Sequence, residues 1–453
     1  MTPVKRDPRR DPIDRAMEHA LRLGNFINYN ASWSFITDLE ELAKQIEQLL
    51  PEEAERALAL YETFIAGCYE KAEEIDDSSG NLGMLVETLM CDWIKARQAA
   101  QADGEKTVER LLGWMDKDDY GFCYQLEQEA VKVLDGNGLS HFASQVQKRF
   151  DVANQPSKPP DEKKRTAQDH TYRQRYWGGI LKTIYAAQGN LDAYVALCRE
   201  TELLPIDCEI IAQTLQARRR PQQALEWVEQ GLDLEKRHTS GRGASYKLDE
   251  IKRKLLVKLG HSDAALASAW AEFEAFPSKL AYDLLMRYVP KRERAKWHAE
   301  AMNTSDLADL DFVIELWLAT KEVDRLVGRL RRSTHQDLES ISHYATEPAA
   351  KKLERLHPDV AAKVYRALGM RILNSKKSKY YDTALSHFKQ ARSCYKKAGD
   401  ELDWQTLVDE VLQIHRRKSA FIPGFEKLIQ GKSLFDESSF AERTKRRKGA
   451  WNR

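Results

Sequence analysis

The sequence lacks the short motifs that identify the common catalytic and cofactor-binding classes. It has no Gly-rich phosphate loop of the G-x-x-x-x-G-K-[ST] or G-x-G-x-x-G type, no H-E-x-x-H pair and no nucleophile elbow. Its 6 cysteines form no C-x-x-C motif, and no Cys/His pair has the spacing of zinc ligands. We therefore expect no catalytic residue, no cofactor and no metal, and we predict that the protein is not an enzyme.

Long apolar runs and an excess of charge of one sign are also missing. No run approaches the ~18 apolar residues of a membrane-spanning helix. The N-terminal stretch MTPVKRDPRRDP has no apolar core behind its charges, which argues against a signal peptide. The 71 basic and 70 acidic residues almost cancel, so no overall field draws the chain to nucleic acid or to a membrane. Together with unpaired cysteines, these features predict a cytoplasmic protein with no membrane partner.

Helical periodicity dominates what is present. In residues 52–74, EEAERALALYETFIAGCYEKAEE, the apolar side chains recur at intervals of three and four residues, which places them on one face of a helix. Residues 381–399, YDTALSHFKQARSCYKKAG, repeat this pattern. No segment shows the alternation of period two that is typical of a strand. The sequence predicts an all-α fold.

Short turns rich in Gly or Pro separate the helical segments. Such residues suit the position just after a helix, and short connections make consecutive helices antiparallel neighbours. The turns lie at residues 75–81, 117–121, 134–138, 186–190, 217–221, 258–262 and 397–400. The sequence therefore predicts antiparallel helical hairpins.

A weak internal repeat indicates how these hairpins are arranged. Ala384, Phe388 and Ala391 have the A-x-x-x-F-x-x-A spacing of the second helix in a tetratricopeptide unit, and Leu368-Gly369 resembles its first helix. A single hairpin cannot cover its own apolar face, so hairpins stack and each shields the next. We predict an irregular tetratricopeptide-like α-solenoid. Similar offsets recur at Ala224, Val228 and Gly231.

Two looser stretches suggest the domain organisation. Residues 154–170, NQPSKPPDEKKRTAQDH, carry three prolines among charges and read as a linker or a long loop. Residues 234–245 read as a second flexible insert. We predict an N-terminal helical domain over 1–153, a linker over 154–172, a helical-repeat array over 173–432 and a basic tail over 433–453.

Residues 116–127, DKDDYGFCYQLE, partly match a calcium-binding loop. Asp116, Asp118, Gly121 and Glu127 occupy loop positions 1, 3, 6 and 12. Tyr120 replaces the oxygen ligand at position 5, and the pattern from about Phe122 is helical. An ordinary capped turn is the favoured interpretation.

A second acidic turn, at residues 73–79, offers carboxylates and two hydroxyls. Metal or phosphoryl chemistry is one interpretation. The favoured one is that Asp77, Ser78 or Ser79 caps the next helix while Gly80 allows the chain to turn. Whether either acidic turn binds a metal stays open at this point.

Basic residues cluster near the C-terminus. The first cluster lies in residues 415–426, HRRKSAFIPGFE, and the second in residues 440–453, FAERTKRRKGAWNR. Both could contact an anion or a nucleic acid. The favoured alternative for the first is a closing cap, in which cations meet a helix C-terminus and Phe421 and Phe425 cover an exposed apolar face. The candidate contact residues are Arg416, Arg417, Lys418, Lys445, Arg446, Arg447 and Lys448.

Several blocks carry a family resemblance: FINYNASWSFITDLEELAKQIEQLL (26–50), IDDSSGNLG (75–83), KDDYGFCYQLEQEAVKVL (117–134), QGNLDAYVAL (188–197) and SKYYDTALSHFKQARS (378–393) with WQTLVDEVLQIHRRKSAF (404–421). The chain resembles a bacterial family of unknown function that has helical repeats. The last block is also similar to the C-terminal helical region of bacterial SWIM zinc-finger proteins, whose C-x-C and C-x-H zinc motif is absent here. The resemblance implies an α-helical array and supplies no activity.

These observations favour a non-enzymatic scaffold. A helical-repeat array would bind a protein or peptide partner on its concave surface. The alternative is a nucleic-acid-associated protein that uses its basic terminal segments.

Overall fold

A computed structural model of the chain describes residues 12–24, 26–155, 165–238 and 246–431. Within these ranges the chain forms 23 α-helices and three short 3₁₀ helices, at Ala72–Glu74, Lys291–Glu293 and Ser378–Tyr380. These ranges contain no β-strand, and the one extended contact is an isolated parallel bridge between Ile27 and Ile75. The all-α prediction is confirmed. None of the described helices is both long and apolar enough to cross a membrane.

The chain divides into two compact units, Met1–Leu248 and Asp249–Arg453. The first unit contains α1 Pro12–Ala20, α2 Tyr29–Glu47, α3 Ala54–Lys71, α4 Asn81–Ala99, α5 Gly104–Met115, α6 Leu126–Val133, α7 Gly136–Asn154, α8 Arg165–Ala187, α9 Leu191–Glu200, α10 Pro205–Ala217 and α11 Pro221–His238. Helix α12, Tyr246–Lys258, carries the boundary. The second unit continues with α13 Ser262–Ala275, α14 Lys279–Tyr288, α15 Arg294–Ser305, α16 Leu310–Thr320, α17 Val323–Arg332, α18 His335–Ser340, α19 His343–Leu353, α20 Pro358–Asn374, α21 Tyr381–Ala398, α22 Glu401–His415 and α23 Ile422–Ile429.

Local sequence determines where many of these helices start and stop. A side-chain oxygen accepts a hydrogen bond from a first-turn N–H at the starts of α2, α5, α7, α9 and α14. Gly189, Gly260 and Gly399, which follow α8, α12 and α21, have φ values of 64°, 84° and 79°. These left-handed conformations favour glycine. The predicted turns at 186–190, 258–262 and 397–400 are therefore confirmed.

Consecutive helices form the most extensive contacts, notably α3 with α4, α7 with α8, α10 with α11 and α20 with α21. Small residues let two of these pairs approach closely. A Cβ atom on Gly369 of α20 would lie 2.6 Å from Cζ of Phe388 on α21, and one on Gly231 of α11 would lie 2.8 Å from Cβ of Cys208 on α10. Consecutive helices therefore pack closely against each other in these pairs.

Part of the stretch predicted as a linker is helical. Helix α8 begins at Arg165, inside the predicted linker 154–172, and residues 156–164 lie outside the described ranges. A Cβ atom on Gly178 of α8 would lie 3.2 Å from Cε2 of Phe150 on α7. Helices α7 and α8 share one core, and the chain divides into its two compact units at Leu248. The predicted domain organisation stays a prediction.

Lysine and arginine side chains recur as caps on the C-terminal ends of other helices. Each donates a hydrogen bond to a backbone carbonyl at or just beyond the end of a helix that is distant in sequence. Such a contact also places a cation at the negative end of the helix dipole. We call these side chains the cationic caps: Lys71, Lys182, Arg218, Arg329, Lys363, Arg371 and Arg392.

Candidate functional site

The first unit contains a surface groove with a volume of about 700 Å³. One wall is a single face of α8, since its lining residues are spaced four apart, and the other is formed by the chain that leads into α10. We call it the α8–α10 groove. Its defining residues are Gln174, Gly178, Gly179, Lys182, Leu204 and Ile206.

The adjacent glycines of α8 serve two different surfaces. Gly178 lies against Phe150, so a side chain at this position would press into the core. A Cβ atom on Gly179 would meet no atom within 4 Å. A glycine inside a helix costs roughly 1 kcal/mol relative to alanine. At Gly179 no close packing offsets this cost, and the bare backbone leaves room for another chain to approach the groove.

A buried ionic network forms the floor of the groove. The Asp207 carboxylate is 3% exposed and accepts hydrogen bonds from Tyr194 Oη at 2.8 Å and Lys182 Nζ at 2.8 Å. It also accepts from the backbone N–H of Leu204 at 2.9 Å, and Lys182 donates to the carbonyl of Glu202 at 3.1 Å. A buried charge that is paired in this way is far less costly than an unpaired one. The network therefore fixes the two walls relative to each other.

Two further ionisable groups lie next to Asp207 and are held in their neutral forms. Burial, with the nearby Asp207 charge, raises the pKa of the Tyr194 phenol well above its usual value. The same two causes raise the pKa of the Cys198 thiol to about 12. Both groups are neutral near pH 7, and a thiol is a poor nucleophile compared with its thiolate. These two groups therefore add no charge beside the Lys182–Asp207 pair.

Apolar side chains project at the rim of the groove. Leu204 and Ile206 are 41% and 51% exposed. Leu204 lies just before α10 and Ile206 lies in its first turn, although the inner face of this helix is buried. Lys182 and Thr183 supply polar groups beside them. This combination of apolar rim and convergent polar groups is typical of surfaces that bind another chain.

The first predicted cationic cluster lies at the end of α22. Arg416 and Arg417 are exposed, whereas Lys418 lies over the ring of Tyr381, with Nζ 5.8 Å from the ring centroid. The predicted contact residues Lys445, Arg446, Arg447 and Lys448 lie outside the described residues. Lys418 therefore packs on Tyr381, whereas the two arginines face solvent.

The aromatic residues after this cluster close the core, as predicted. Phe421 and Phe425 are fully buried, with ring centroids 6.0 Å and 5.3 Å from that of Phe388. A Cβ atom on Gly424 would lie 2.6 Å from Cδ1 of Leu385, so this glycine in the first turn of α23 lets α23 lie close to α21. The expectation that Phe421 and Phe425 cover an apolar face is confirmed.

The carboxylates of the 116–127 turn bind different protein groups. Asp116 pairs with Arg149 at 2.5 Å, while Asp118 accepts from the backbone N–H groups of Phe122 at 3.0 Å and Cys123 at 2.6 Å. Helix α6 begins at Leu126, later than the predicted start near Phe122, because Gln125 just before it has a left-handed backbone with φ of 56°. Glu127 is buried, and burial raises its pKa.

The carboxylates of the 73–79 turn also bind backbone N–H groups or a basic side chain. Asp77 accepts from the backbone N–H groups of Leu82 at 2.9 Å and Gly83 at 3.1 Å, and Asp76 accepts from that of Ser78 at 3.1 Å. Glu74 pairs with the buried ammonium of Lys71 at 2.7 Å. In the part of the chain that the structure describes, no three His, Cys, Asp or Glu side chains converge as a metal site would require.

Sequence patterns did not single out Lys182, Asp207 or the groove they support. Two signals were present: the Gly178-Gly179 pair inside a helical pattern, and Pro205 followed by Asp207 at the start of the next helix. Both sequence signals also occur commonly in helices that have no functional site, so neither one identifies a groove. The pairing of Lys182 with Asp207 joins two helices, so no single periodic segment could reveal it.

These observations define an all-α protein built from packed helical hairpins, with a groove beside α8 whose charged floor is internally satisfied. The chain belongs to a family of unknown function, DUF6880, which it matches over residues 12–423. No curated protein matches the chain. The predicted resemblance to a family of unknown function is confirmed, and the similarity to SWIM zinc-finger proteins stays a prediction.

Proposed function

We propose that the protein is a non-enzymatic helical-repeat scaffold that binds a segment of a partner protein in the α8–α10 groove. Its hairpins stack within each unit in a tetratricopeptide-like manner. The close approach of Gly369 to Phe388 and of Gly231 to Cys208 supports this arrangement, because both contacts fall at the small positions of the predicted repeat.

The groove itself carries the proposal. An incoming segment would place an apolar side chain against Leu204 and Ile206, whose exposure would otherwise leave apolar surface in water. Its backbone would approach Gly179, where no side chain intervenes. Lys182 and Asp207 are already paired, so the segment need not neutralise either charge.

A peptide-library selection on the purified full chain tests this proposal. Peptides that bind the wild type are measured by fluorescence anisotropy against Ile206→Asp and against Met84→Asp. Met84, on α4, is 58% exposed and lies outside the groove, so it matches Ile206 in character. We expect the Ile206 change to weaken binding by about tenfold or more and the Met84 change to leave it unaltered. Selected peptides that tolerate Ile206→Asp, or a library that yields no binder, would remove the proposal.

The exposed side chains of Arg416 and Arg417 favour a second candidate, a nucleic-acid-associated protein. They precede the basic sequence 441–453 in the chain, and clustered cations bind phosphates with a strong dependence on salt. Mobility-shift assays with single- and double-stranded DNA and RNA test it. A salt-sensitive shift that is lost on deletion of residues 441–453 supports this candidate, and the lack of a shift with every nucleic acid eliminates it.

A further inference from the structure

The second unit contains a cavity of about 460 Å³ that is formed by different residues from the α8–α10 groove. It lies between facing surfaces of α20 and α22, with Tyr395 of α21 among its lining residues. We call it the α20–α22 cavity. Its charged lining comprises Arg331, His335, Lys363, Arg366, Asp400 and Asp403, together with Asp359.

Cations dominate the α20 side of this cavity. Asp359, Lys363 and Arg366 are spaced to share one face of α20. The one carboxylate among them, Asp359, is paired with Arg331 at 2.8 Å. Lys363 donates to the backbone carbonyls of residues 330, 331 and 333, so its hydrogen bonds go to neutral groups.

Arg366 has an unsatisfied nitrogen in this wall. The residue is 7% exposed, and its Nη2 pairs with Glu410 at 2.5 Å. Its Nη1 is buried and has no hydrogen-bond partner. A buried donor left unpaired is destabilising, and more so when the group is charged. Because Arg366 lines the cavity, an oxyanion bound there would supply the partner that Nη1 lacks.

His335 lies beside the same cations. Although the residue is exposed on one side, burial of its ring, with the charges of Arg366 and Lys363, lowers its pKa to about 4. The imidazole is therefore neutral near pH 7 and offers one donor and one acceptor. It adds a polar contact without adding a positive charge.

Carboxylates occupy the α22 side. Asp400 is the N-cap residue of α22, yet its side chain forms no capping hydrogen bond. Asp403 lies in the first turn of the same helix and is exposed. Because Glu410, further along α22, is engaged by Arg366, Asp400 and Asp403 are the carboxylates on this side that can bind a cationic group. The cavity thus has a cationic wall and an anionic wall.

We propose that the α20–α22 cavity binds a small zwitterion, such as a free amino acid, through its carboxylate at Arg366 and its ammonium group at Asp400 and Asp403. A simple oxyanion such as phosphate would satisfy Arg366 and would be repelled by both aspartates. A simple amine would meet the reverse problem. A ligand with both charges complements the two walls at once.

Differential scanning fluorimetry and calorimetric titration of the full chain test the proposal. The probes are the twenty L-amino acids, inorganic phosphate, and, for each amino acid that binds, its decarboxylated amine and its deaminated acid. We expect at least one amino acid to bind, and its two analogues to bind about tenfold more weakly or not at all.

Asp403→Asn and His335→Ala alter exposed residues and leave the core intact, so they carry the test. Each should weaken binding of the amino acid by about tenfold. Glu401→Gln is the matched control, because it removes a carboxylate from the same helical turn outside the cavity. The proposal is overturned if no amino acid binds, if phosphate or a lone amine binds as tightly, or if Asp403→Asn and Glu401→Gln behave alike.

Discussion

Replacing Gly369 with alanine should destabilise the second unit, against the trend expected for a glycine inside a helix. Gly369 lies within α20, where alanine is favoured by roughly 1 kcal/mol. The added Cβ would lie 2.6, 2.7 and 2.9 Å from three ring carbons of Phe388. Ordinary contacts between carbon atoms lie near 3.5–4.0 Å.

The ring cannot easily move away from the new methyl group. Phe388 is fully buried, and its centroid lies 5.3 Å from that of Phe425 and 6.0 Å from that of Phe421. Overpacking of such a core typically costs about 1–3 kcal/mol. We place Gly369→Ala in the upper part of that range because three carbons are involved, which leaves a net loss of about 1–2 kcal/mol after the gain in helix propensity.

The matched control is Gly328→Ala in α17 of the same unit. A Cβ atom on Gly328 would meet nothing within 4 Å, so the helix propensity should act alone and stabilise the unit by up to about 1 kcal/mol. Thermal unfolding should shift by about 2–4 °C per kcal/mol for a unit of this size, downward for the first variant and upward for the second. Equal upward shifts in both would refute the close packing of α20 on α21.

Three further changes test other parts of the structure. Burial lowers the pKa values of His387 and His415 below 6.5, so the stability that these neutral side chains contribute is complete above about pH 6.5 and is lost as the pH falls through their pKa values in the folded state. The urea midpoint of unfolding should therefore drop between about pH 7 and pH 5, and it should drop less in His387→Gln. Identical pH profiles for the wild type and His387→Gln would contradict this. Lys363→Met should lower the free energy of unfolding by about 2 kcal/mol, because it removes the hydrogen bonds that cap the end of α17. Lys351→Met, at an exposed position, should leave it almost unchanged, and equal losses of thermal stability in the two variants would count against the cap. Glu127→Gln should raise the melting temperature near pH 7, because burial raises the pKa of Glu127 and its ionisation above about pH 4.5 opposes folding. The gain in melting temperature should vanish near pH 4, and a gain that does not change with pH would exclude this cause.

Local features of the fold could be predicted because their causes are local. The spacing of apolar residues and the glycines after α8, α12 and α21 act within one or two turns of chain. The burial of Phe421 and Phe425 followed from their position after the last long amphipathic helix. The predicted domain organisation rested on the prolines at 156–160, and such a sequence signal says nothing about whether the helices before and after it share a core.

The candidate sites were harder to predict because each joins residues that are distant in sequence. Lys182 meets Asp207 across two helices, and Arg366 meets Glu410 across two others. In each case the charged residue sits in an ordinary amphipathic pattern, where its exposed position is the default expectation. Only packing decides which of these charges is buried and which is left without a partner.

The cationic caps bear on how the abundant lysines and arginines should be interpreted. The chain has 71 basic residues, and the sequence predicted that those near the C-terminus could contact an anion or a nucleic acid. Yet Lys363, Arg371 and Arg392 direct their charges at helix-end carbonyls within the second unit. A cation used in this way neutralises the negative end of a helix dipole, so it adds little to the field that a phosphate would encounter. Binding of nucleic acid would then draw on cations that are not engaged in this way, such as Arg416 and Arg417 together with the basic sequence 441–453, and deletion of that sequence should reduce its salt dependence.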